Sequence, residues 1–272
     1  MNKKLALIIA GIIFVAVASI IFLKTNKSGT GLQIGDTRVS SVLSLLTEAK
    51  NFEAKGDLLQ AKSAYQKLIV DFPNSSEIMN WQKKIENLNI KILFSPAITP
   101  KSTLYEIKAG DTLAKIAREF KTTVELIKKS NNLANDKIIP GRKIKVWSAP
   151  FNILVDKSQN ILILKTDEEV LKTYIVSTGV NNSTPVGIFR IVNKLINPTW
   201  FKAGAVVPAG SSENVLGTRW LGFNLAGYGI HGTTEPQSLG SQVTQGCVRL
   251  SNQEVEELYT IIPLGSEVTI VD

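Results

Sequence analysis

The feature that most constrains this chain is an apolar run near its start, residues Leu5–Leu23, which contains no charged side chain. At a rise of about 1.5 Å per residue, about 20 apolar residues cross the hydrocarbon core of a bilayer. Lys3 and Lys4 precede the run and Lys24 follows it, so the flanking charges do not decide its orientation. The run predicts a single transmembrane helix that anchors the rest of the chain.

A cleaved signal peptide is the alternative interpretation of this segment. Ala16, Val17 and Ala18 have the A-x-A pattern of a cleavage site. The apolar run continues past this pattern as far as Leu23, which favours an uncleaved anchor. Residues 24–38, which follow, are rich in Gly, Thr, Ser and Lys and are predicted to form a flexible spacer.

Residues 39–92 are predicted to be helical, because apolar residues recur at helical spacing on both sides of Gly56-Asp57. The first two helices resemble a tetratricopeptide helical hairpin, with small residues at Gly56 and Ala61, then Tyr65 and a closing Pro73. A single repeat cannot bury its own apolar faces, so it must pack on a third helix, on the next domain or on a partner protein. A generic helical spacer and a partner-binding role both stay open.

Charge is distributed unevenly along the 272 residues, whose formal net charge is +8. Residues 1–149 carry a net charge of +11, whereas residues 150–272 carry −3. A basic half is compatible with nucleic acid, anionic lipid or an anionic cell-wall polymer as a partner. No helix-turn-helix, zinc-finger or stacking motif accompanies the charge, so nucleic-acid binding is not expected, and the scattered charges predict a solvated surface.

Residues 94–103 contain two prolines and are predicted to be a linker to a module at residues 104–147. Alternating apolar residues at both ends of the module predict two short strands, with two helices between them. This order and its turn motifs resemble the LysM module. The matching residues are Tyr105, the Gly110-Asp111-Thr112-Leu113 run, Ile116-Ala117, Asn131-Asn132-Leu133 and Ile139-Pro140-Gly141.

The LysM resemblance implies binding of glycans that contain N-acetylglucosamine, chiefly peptidoglycan. The glycan-binding residues are expected in the two turns, at Gly110, Asp111 and Thr112 and at Pro140 and Gly141. The alternative is a degenerate module that only packs against its neighbours, because a fold alone does not establish binding.

Residues 150–272 are predicted to form a β-rich domain with one helix, which begins at a capping-box pattern made by Ser251 and Glu254. Short apolar runs predict the strands, and Asp156–Asn160 predicts a hairpin turn between the first two. The predicted strands are 151–155, 161–165, 173–177, 187–195, 220–225 and 267–271. The fold class expected for the whole chain is multidomain α+β, with a transmembrane helix, a helical hairpin, a small strand-helix-helix-strand module and a β-rich domain.

The β-rich domain contains the chain's one cysteine, Cys247, and its one histidine, His231. A thiol becomes an effective nucleophile when a base takes its proton or when its pKa is lowered. Gly232 and Gly246, beside these residues in the sequence, are expected to leave room for a substrate. Arg249 is expected to favour the thiolate or to bind an acidic group of the substrate. One cysteine cannot form an internal disulfide, and so few Cys and His ligands predict neither a metal nor a cofactor.

Taken alone, a cysteine is usually a small buried hydrophobe and a histidine a satisfied core residue. The surrounding sequence, however, strongly resembles the L,D-transpeptidase catalytic domain of the YkuD type over essentially all of residues 150–272. The matching segments are Thr184-Pro185-Val186-Gly187-Ile188-Phe189, Leu216-Gly217-Thr218-Arg219-Trp220, Ile230-His231-Gly232-Thr233, Pro236, Gly240 and Thr244-Gln245-Gly246-Cys247-Val248-Arg249-Leu250.

One departure from the family pattern lies at the nucleophile, where Ser-His-Gly-Cys is usual and this chain has Thr244-Gln245-Gly246-Cys247. Thr244 keeps the hydroxyl, whereas Gln245 keeps a polar side chain that cannot transfer a proton. The family's principal base is the upstream histidine, present here as His231, so the change is expected to affect rate or specificity more than mechanism. Thr244, Gln245 and Gly246 are expected beside the substrate, with main-chain N–H groups near Gly246 and Cys247 stabilising the oxyanion.

The resemblance implies a two-step acyl transfer. Cys247, with His231 as its base, attacks the carbonyl on the L-centre of diaminopimelate in a tetrapeptide stem, and D-alanine leaves. A main-chain carbonyl near Gly232 is expected to orient the imidazole. An amine acceptor then yields a cross-link, whereas water would make the enzyme an L,D-carboxypeptidase.

A non-enzymatic peptidoglycan-binding protein is the rival from another class, and the presence of both Cys247 and His231 argues against it. The predicted location is the cytoplasmic membrane, with one span and the C-terminal domains outside the cytoplasm. Peptidoglycan and the membrane are the predicted partners, with a protein partner of the helical region as a further possibility.

Overall fold

The computed structural model describes residues 34–202 and 204–272. The predicted anchor, residues 5–23, lies outside the described residues. Among the helices of the described part, none is long and apolar enough to cross a membrane.

The first described helix, α1, spans Ile34–Lys55. The prediction of a spacer through residue 38 was therefore wrong for residues 34–38, which are helical. Gly35 is the strongest helix breaker among these five residues, and one glycine costs a helix only about 1 kcal/mol relative to alanine. The Gly, Ser and Thr content that indicated a spacer is concentrated before Ile34.

Helices α2 (Leu58–Asp71) and α3 (Ile78–Leu93) follow, so all three predicted helices are confirmed. The chain divides into two compact units after Leu88, within α3. In the first unit the third helix covers the hairpin, and residues from all three helices share one core. The core residues are Ala49, Ala61, Ala64, Tyr65, Leu68, Ile69, Trp81, Ile85 and Leu88. The tetratricopeptide resemblance itself stays a prediction.

The second unit contains the end of α3 and then the small module, whose order is strand-helix-helix-strand as predicted. Its elements are β1 (Ser102–Glu106), α4 (Leu113–Glu119), α5 (Val124–Ser130) and β2 (Lys143–Trp147), and the two strands pair antiparallel. Each helix begins at a threonine cap. Thr112 accepts from the Lys115 N–H at 3.2 Å, and Thr123 accepts from the Leu126 N–H at 2.9 Å.

The β-rich domain is built on an eight-stranded sheet. Its strands are β3 (Phe151–Asp156), β4 (Ile161–Thr166), β5 (Glu169–Ile175), β7 (Gly187–Ile196), β10 (Arg219–Phe223), β11 (Gly229–His231), β13 (Val248–Arg249) and β14 (Glu267–Val271). Their order in the sheet is β13-β11-β10-β7-β14-β3-β4-β5. The pairs β14–β3 and β11–β13 are parallel and the other neighbours are antiparallel. All six predicted strands are present; the last has its predicted bounds, and the other five differ at one or both ends.

Two further pairs of short strands lie outside this sheet. β6 (Thr178–Gly179) pairs parallel with β12 (Gln242–Thr244), and β8 (Trp200–Lys202) forms a hairpin with β9 (Ala205–Val207). The sequence did not predict them, nor β11 and β13, because two or three residues are too few to show a period.

Helix α6 (Asn252–Ile261) packs its apolar face into the core of the sheet. Its predicted cap is confirmed, since the Ser251 hydroxyl accepts from the Glu254 N–H at 3.2 Å and donates to the Glu254 carboxylate at 2.7 Å. The small module joins the same core. Leu126 of α5 is a buried member of it, and the Thr123 hydroxyl donates to the Thr260 carbonyl of α6.

Candidate active site

Cys247 and His231 line the same open cleft, whose volume is about 670 Å³. The cleft walls are largely apolar and aromatic. They include Leu195, Trp200, Phe201, Val215, Leu216, Trp220, Tyr228, Val243, Thr244, Gln245 and Arg249. The predicted thiol and base, sixteen residues apart in the sequence, are therefore brought to one solvent-accessible surface.

The parallel pairing of β11 with β13 brings the two residues together. In this register Ile230 lies opposite Val248, and His231 lies opposite Arg249. Cys247 immediately precedes β13, so it enters the sheet beside the strand that His231 ends. The parallel pairing of β11 and β13 over two residues thus positions Cys247 and His231. The loop between the two strands contributes Val243, Thr244 and Gln245 to the cleft wall.

The His231 side chain is 3% exposed, and its Nδ1 lies 2.6 Å from the Gly232 carbonyl oxygen. A carbonyl can only accept, so Nδ1 carries the proton and Nε2 keeps its lone pair. The indole of Trp220 stacks on the imidazole with a centroid separation of 6.0 Å and an interplanar angle of 16°. The expected main-chain orientation of the histidine is thus present.

The His231 imidazole is neutral at ordinary pH. Burial lowers its pKa to about 4, the positive charge of Arg249 acts in the same direction, and the hydrogen bond to Gly232 acts against both. A neutral imidazole with a free Nε2 can accept a proton from a thiol.

The Cys247 thiol is half-buried and donates to the Gly227 carbonyl across 3.4 Å. Burial raises the pKa of the thiol, while a main-chain hydrogen bond at Gly229 and the charge of Arg249 lower it. Because burial is the largest of these effects, both the Cys247 thiol and the His231 imidazole are neutral at rest. A neutral thiol becomes an effective nucleophile once a base takes its proton.

Arg249 is 6% exposed, and its Nη1 donates to the Glu235 carboxylate at 3.0 Å and to the Ser238 hydroxyl at 2.9 Å. These partners fix the guanidinium within the protein. Its charge lowers the pKa of both Cys247 and His231. Of the two predicted roles, this geometry favours the electrostatic one.

The reason predicted for the two glycines was wrong. A Cβ at Gly232 would lie 2.2 Å from the Asn252 side-chain oxygen, and one at Gly246 would lie 2.7 Å from the Tyr228 ring. Protein atoms, rather than a substrate, therefore occupy the space that a side chain would need. Gly246 also has a φ of +124°, which L side chains rarely adopt.

Thr244 holds the loop before Cys247 in place through two hydrogen bonds. Its hydroxyl donates to the Cys247 carbonyl at 2.7 Å and accepts from the Gly246 N–H at 3.2 Å. The Gly246 N–H is thus occupied by Thr244, contrary to its predicted part in stabilising an oxyanion. Gln245 is exposed on the cleft wall, at the position where the family usually has histidine.

The two predicted glycan-binding turns of the small module lie side by side, because the Gly141 N–H donates to the Ile107 carbonyl at 2.8 Å. The Asp111 carboxylate stabilises its own turn, because it accepts hydrogen bonds from the Tyr105 hydroxyl and from the Lys108 N–H, both at 2.8 Å. Together with the cap role of Thr112, these contacts give two of the five predicted residues a structural function. Whether the module binds glycan stays a prediction.

Three residues near Cys247 and His231 were not singled out from the sequence. Trp220 stacks on His231, Tyr228 packs against Gly246, and Asn252 accepts from two main-chain N–H groups near Gly232. Trp220 lies in the segment Leu216–Trp220, and the resemblance of this segment to the family was the one sequence signal that could have identified it. Within the described residues no group of three or more His, Cys, Asp or Glu side chains could hold a metal ion.

Comparison with known proteins supports the two family resemblances that the sequence motifs indicated. The family model for the YkuD L,D-transpeptidase catalytic domain matches residues 150–270, and that for the LysM domain matches residues 105–147. YkuD of Bacillus subtilis strain 168, named as a candidate L,D-transpeptidase, is 32% identical over 173 residues, covering 61% of this chain and 97% of that protein. YqjB of the same strain, named likewise, is 40% identical over 126 residues, covering 44% of this chain and 70% of that protein.

Among solved structures, an L,D-transpeptidase from Mycobacterium smegmatis matches 50% of this chain and 65% of its own, with a TM-score of 0.41 and 20% identity. The sequence relation to Bacillus subtilis YkuD, by contrast, extends over nearly the whole of that protein. With a thiol and an imidazole on one cleft inside the matched catalytic domain, this relation shows that the chain belongs to the YkuD family of L,D-transpeptidases and carries a LysM domain before its catalytic domain.

Proposed function

We propose that this protein is a membrane-anchored L,D-transpeptidase that remodels peptidoglycan outside the cytoplasm through a thioester on Cys247. The observation that carries the proposal is the position of Cys247 and His231 on one cleft, with Nε2 of the imidazole free to accept a proton. The chain has no second cysteine or histidine that could replace either group.

In the first half-reaction, Nε2 of His231 takes the proton of Cys247, and the sulfur attacks the carbonyl on the L-centre of diaminopimelate in a tetrapeptide stem. The C–N bond to D-alanine breaks as the tetrahedral intermediate collapses. The departing amine takes the proton back from the imidazolium, leaving an acyl thioester on the sulfur.

In the second half-reaction, the amine of another stem peptide attacks the thioester. Its proton passes to Nε2 of His231, the C–S bond breaks, and the Cys247 sulfur recovers the proton from the imidazolium. The product is a direct cross-link. If water attacks instead, the outcome is L,D-carboxypeptidase activity.

Two features of the site would stabilise charge during these steps. The buried charge of Arg249 lowers the pKa of the thiol, which favours the thiolate over the resting thiol. Because the Gly246 N–H donates to Thr244, the Cys247 N–H is the main-chain donor that we assign to the oxyanion.

The N-terminal segments would localise this chemistry. The apolar run Leu5–Leu23 would hold the chain in the cytoplasmic membrane, with its C-terminal domains outside. The LysM domain would bind peptidoglycan glycan and raise the local concentration of stem peptides at the cleft. The three-helix unit buries its own shared core, so a protein partner would bind its outer surface.

The decisive experiment incubates the full chain, in detergent, with disaccharide-tetrapeptide muropeptides and identifies the products by mass spectrometry. Release of D-alanine with formation of directly cross-linked dimers is the expected result. Accumulation of tripeptide stems alone would reassign the enzyme as a carboxypeptidase. A folded protein that forms neither product, and no acyl adduct, would refute the enzymatic proposal.

The anchor is tested separately by fractionation. The full chain is expected in the membrane fraction, whereas residues 28–272 are expected in the soluble fraction. A native protein that begins after Ala18 and does not sediment with membranes would contradict the anchor and leave the chemistry untouched.

A further inference from the structure

One side chain outside the catalytic pair joins three segments next to His231. Asn252 is the first residue of α6, and its side-chain Oδ1 accepts from the Thr218 N–H and from the Thr233 N–H, each at 3.1 Å. These donors lie 34 and 19 residues away in the sequence. A single amide oxygen therefore links the residue before β10, the segment that follows β11 and the start of α6.

The Gly232–Thr233 peptide connects this oxygen to the imidazole. The carbonyl of the peptide accepts from Nδ1 of His231 at 2.6 Å, and its N–H donates to Asn252 at 3.1 Å. Because a peptide group is planar, holding its N–H also sets the direction of its carbonyl. Hydrogen bonds in such a chain polarise one another, which makes the carbonyl a better acceptor for the imidazole N–H.

The packing around this oxygen explains two glycines. A Cβ at Gly217 would lie 2.1 Å from Oδ1 of Asn252, and a Cβ at Gly232 would lie 2.2 Å from it. Gly217 also has a φ of +65°. The main chain thus approaches the amide oxygen more closely than any residue with a side chain would permit, which is how one acceptor reaches both N–H groups.

We propose that Asn252 is a positioning residue for His231, which holds the Gly232–Thr233 peptide so that the imidazole keeps its proton on Nδ1 and its lone pair on Nε2. Without this contact the peptide can rotate, and the imidazole can adopt the opposite tautomer. In that tautomer Nε2 carries a proton and cannot take one from the thiol. The effect on catalysis rests on the proposed function, whereas the effect on the tautomer does not.

The tautomer can be read directly because the chain has one histidine. Full-length protein labelled with ¹⁵N-histidine yields one imidazole spin system, and long-range ¹H–¹⁵N correlation identifies which nitrogen carries the proton. The wild type is expected to show the proton on Nδ1 at pH 7. In Asn252→Ala a substantial fraction is expected on Nε2, with kcat lower by about 10- to 100-fold and KM within about twofold.

Two further variants separate positioning from general damage. Asn252→Asp keeps an oxygen that can accept from both N–H groups, so it is expected to restore the Nδ1 tautomer and, by its negative charge, to raise the pKa of His231. Asn89→Ala is the matched control, because Asn89 is a buried asparagine whose Nδ2 donates to the Val170 and Leu171 carbonyls at 3.3 and 3.0 Å. It is expected to lower stability and to leave the tautomer unchanged.

An unchanged tautomer in a folded Asn252→Ala protein would overturn the inference, as would an equal change in Asn89→Ala. If the alanine variant does not fold, Asn252→Ser replaces it, since its hydroxyl is too short to reach both N–H groups, and the same two outcomes apply. A wild-type chain that fails to process muropeptides would refute the proposed function and leave the tautomer result standing.

Discussion

The loss of activity at low pH is the most direct test of how burial and charge in the cleft set the pKa of His231. Burial is the main reason that the pKa of His231 lies at about 4 rather than 6.5, with the charge of Arg249 acting in the same direction. A base must be neutral to accept a proton, so the buried imidazole should keep its function at pH values where an exposed histidine has lost it. Lowering the pH from 7.5 to 5.5 is the informative perturbation.

The expected magnitude follows from the fraction of neutral imidazole. At pH 5.5 a group with a pKa of about 4 is about 97% neutral, whereas one with a pKa of 6.5 is about 9% neutral. Between pH 7.5 and pH 5.5, kcat/KM should therefore fall by less than about 1.5-fold, compared with about tenfold for an unperturbed histidine.

The assay is the initial rate of D-alanine release at low muropeptide concentration, because kcat/KM reports the ionisation of the free enzyme. The imidazole is titrated in parallel by NMR. Trp220→Ala is the matched variant, since loss of the stacked indole exposes the imidazole and should move the acid limb up towards pH 6.5. A wild-type limb centred near pH 6.5, or a limb that Trp220→Ala leaves in place, would refute the assignment of burial as the dominant cause.

Four further outcomes are expected. Cys247→Ser should abolish cross-linking, because a hydroxyl is far less acidic than a thiol, and intact-mass spectrometry should find a carbapenem adduct on the wild type alone; an adduct on the serine variant would exclude Cys247 as the nucleophile. Gln245→His should stay active, with an equal or higher steady-state rate, and a tenfold loss would contradict the minor role given to this position. Gly141→Val should strain the turn, because Gly141 has a φ of +83°. Retention of the full chain on insoluble sacculi should fall several-fold, while turnover of soluble muropeptides stays unchanged. Equal retention of the variant and the wild type would argue against glycan binding at this turn. The last outcome concerns stability: because His231 is neutral in the folded protein, the unfolded state binds more protons below pH 6.5. The free energy of unfolding of the wild type, measured with denaturant, should therefore drop by about 2 kcal/mol from pH 7 to pH 5 relative to that of His231→Gln. Parallel pH profiles of the unfolding free energy for the two proteins would show that the pKa of His231 is not lowered.

Elements with their own local signals could be predicted from the sequence. Thr112, Thr123 and Ser251 each precede an apolar periodic stretch, and each caps the helix that follows. A cap is a contact between residues three positions apart, so both partners stand in the same short segment. The strands of β3 and β4 were similarly visible as apolar runs around a turn.

The part of the fold that forms the site could not be read in this way. Strand β11 has three residues and strand β13 has two, and the two strands pair across the long loop that separates them in the sequence. Such short strands have no period, and their stability depends on the neighbours that the completed sheet supplies. The predicted role of Gly246 in an oxyanion site failed for the same reason, because only the folded loop shows its N–H donating to Thr244.

By itself, the sequence determined the chemistry available to this protein. It contains one thiol and one imidazole, each in a distinctive segment, and these residues predict a cysteine nucleophile with a histidine base. Only the tertiary structure decided the state of that pair. Burial and the Arg249 charge set the ionisation of His231, the Gly232 carbonyl selects its tautomer, and Asn252 from a distant helix occupies the space beside Gly232. Ionisation and steric room depend on distances between segments, and these distances exist only once the chain has folded.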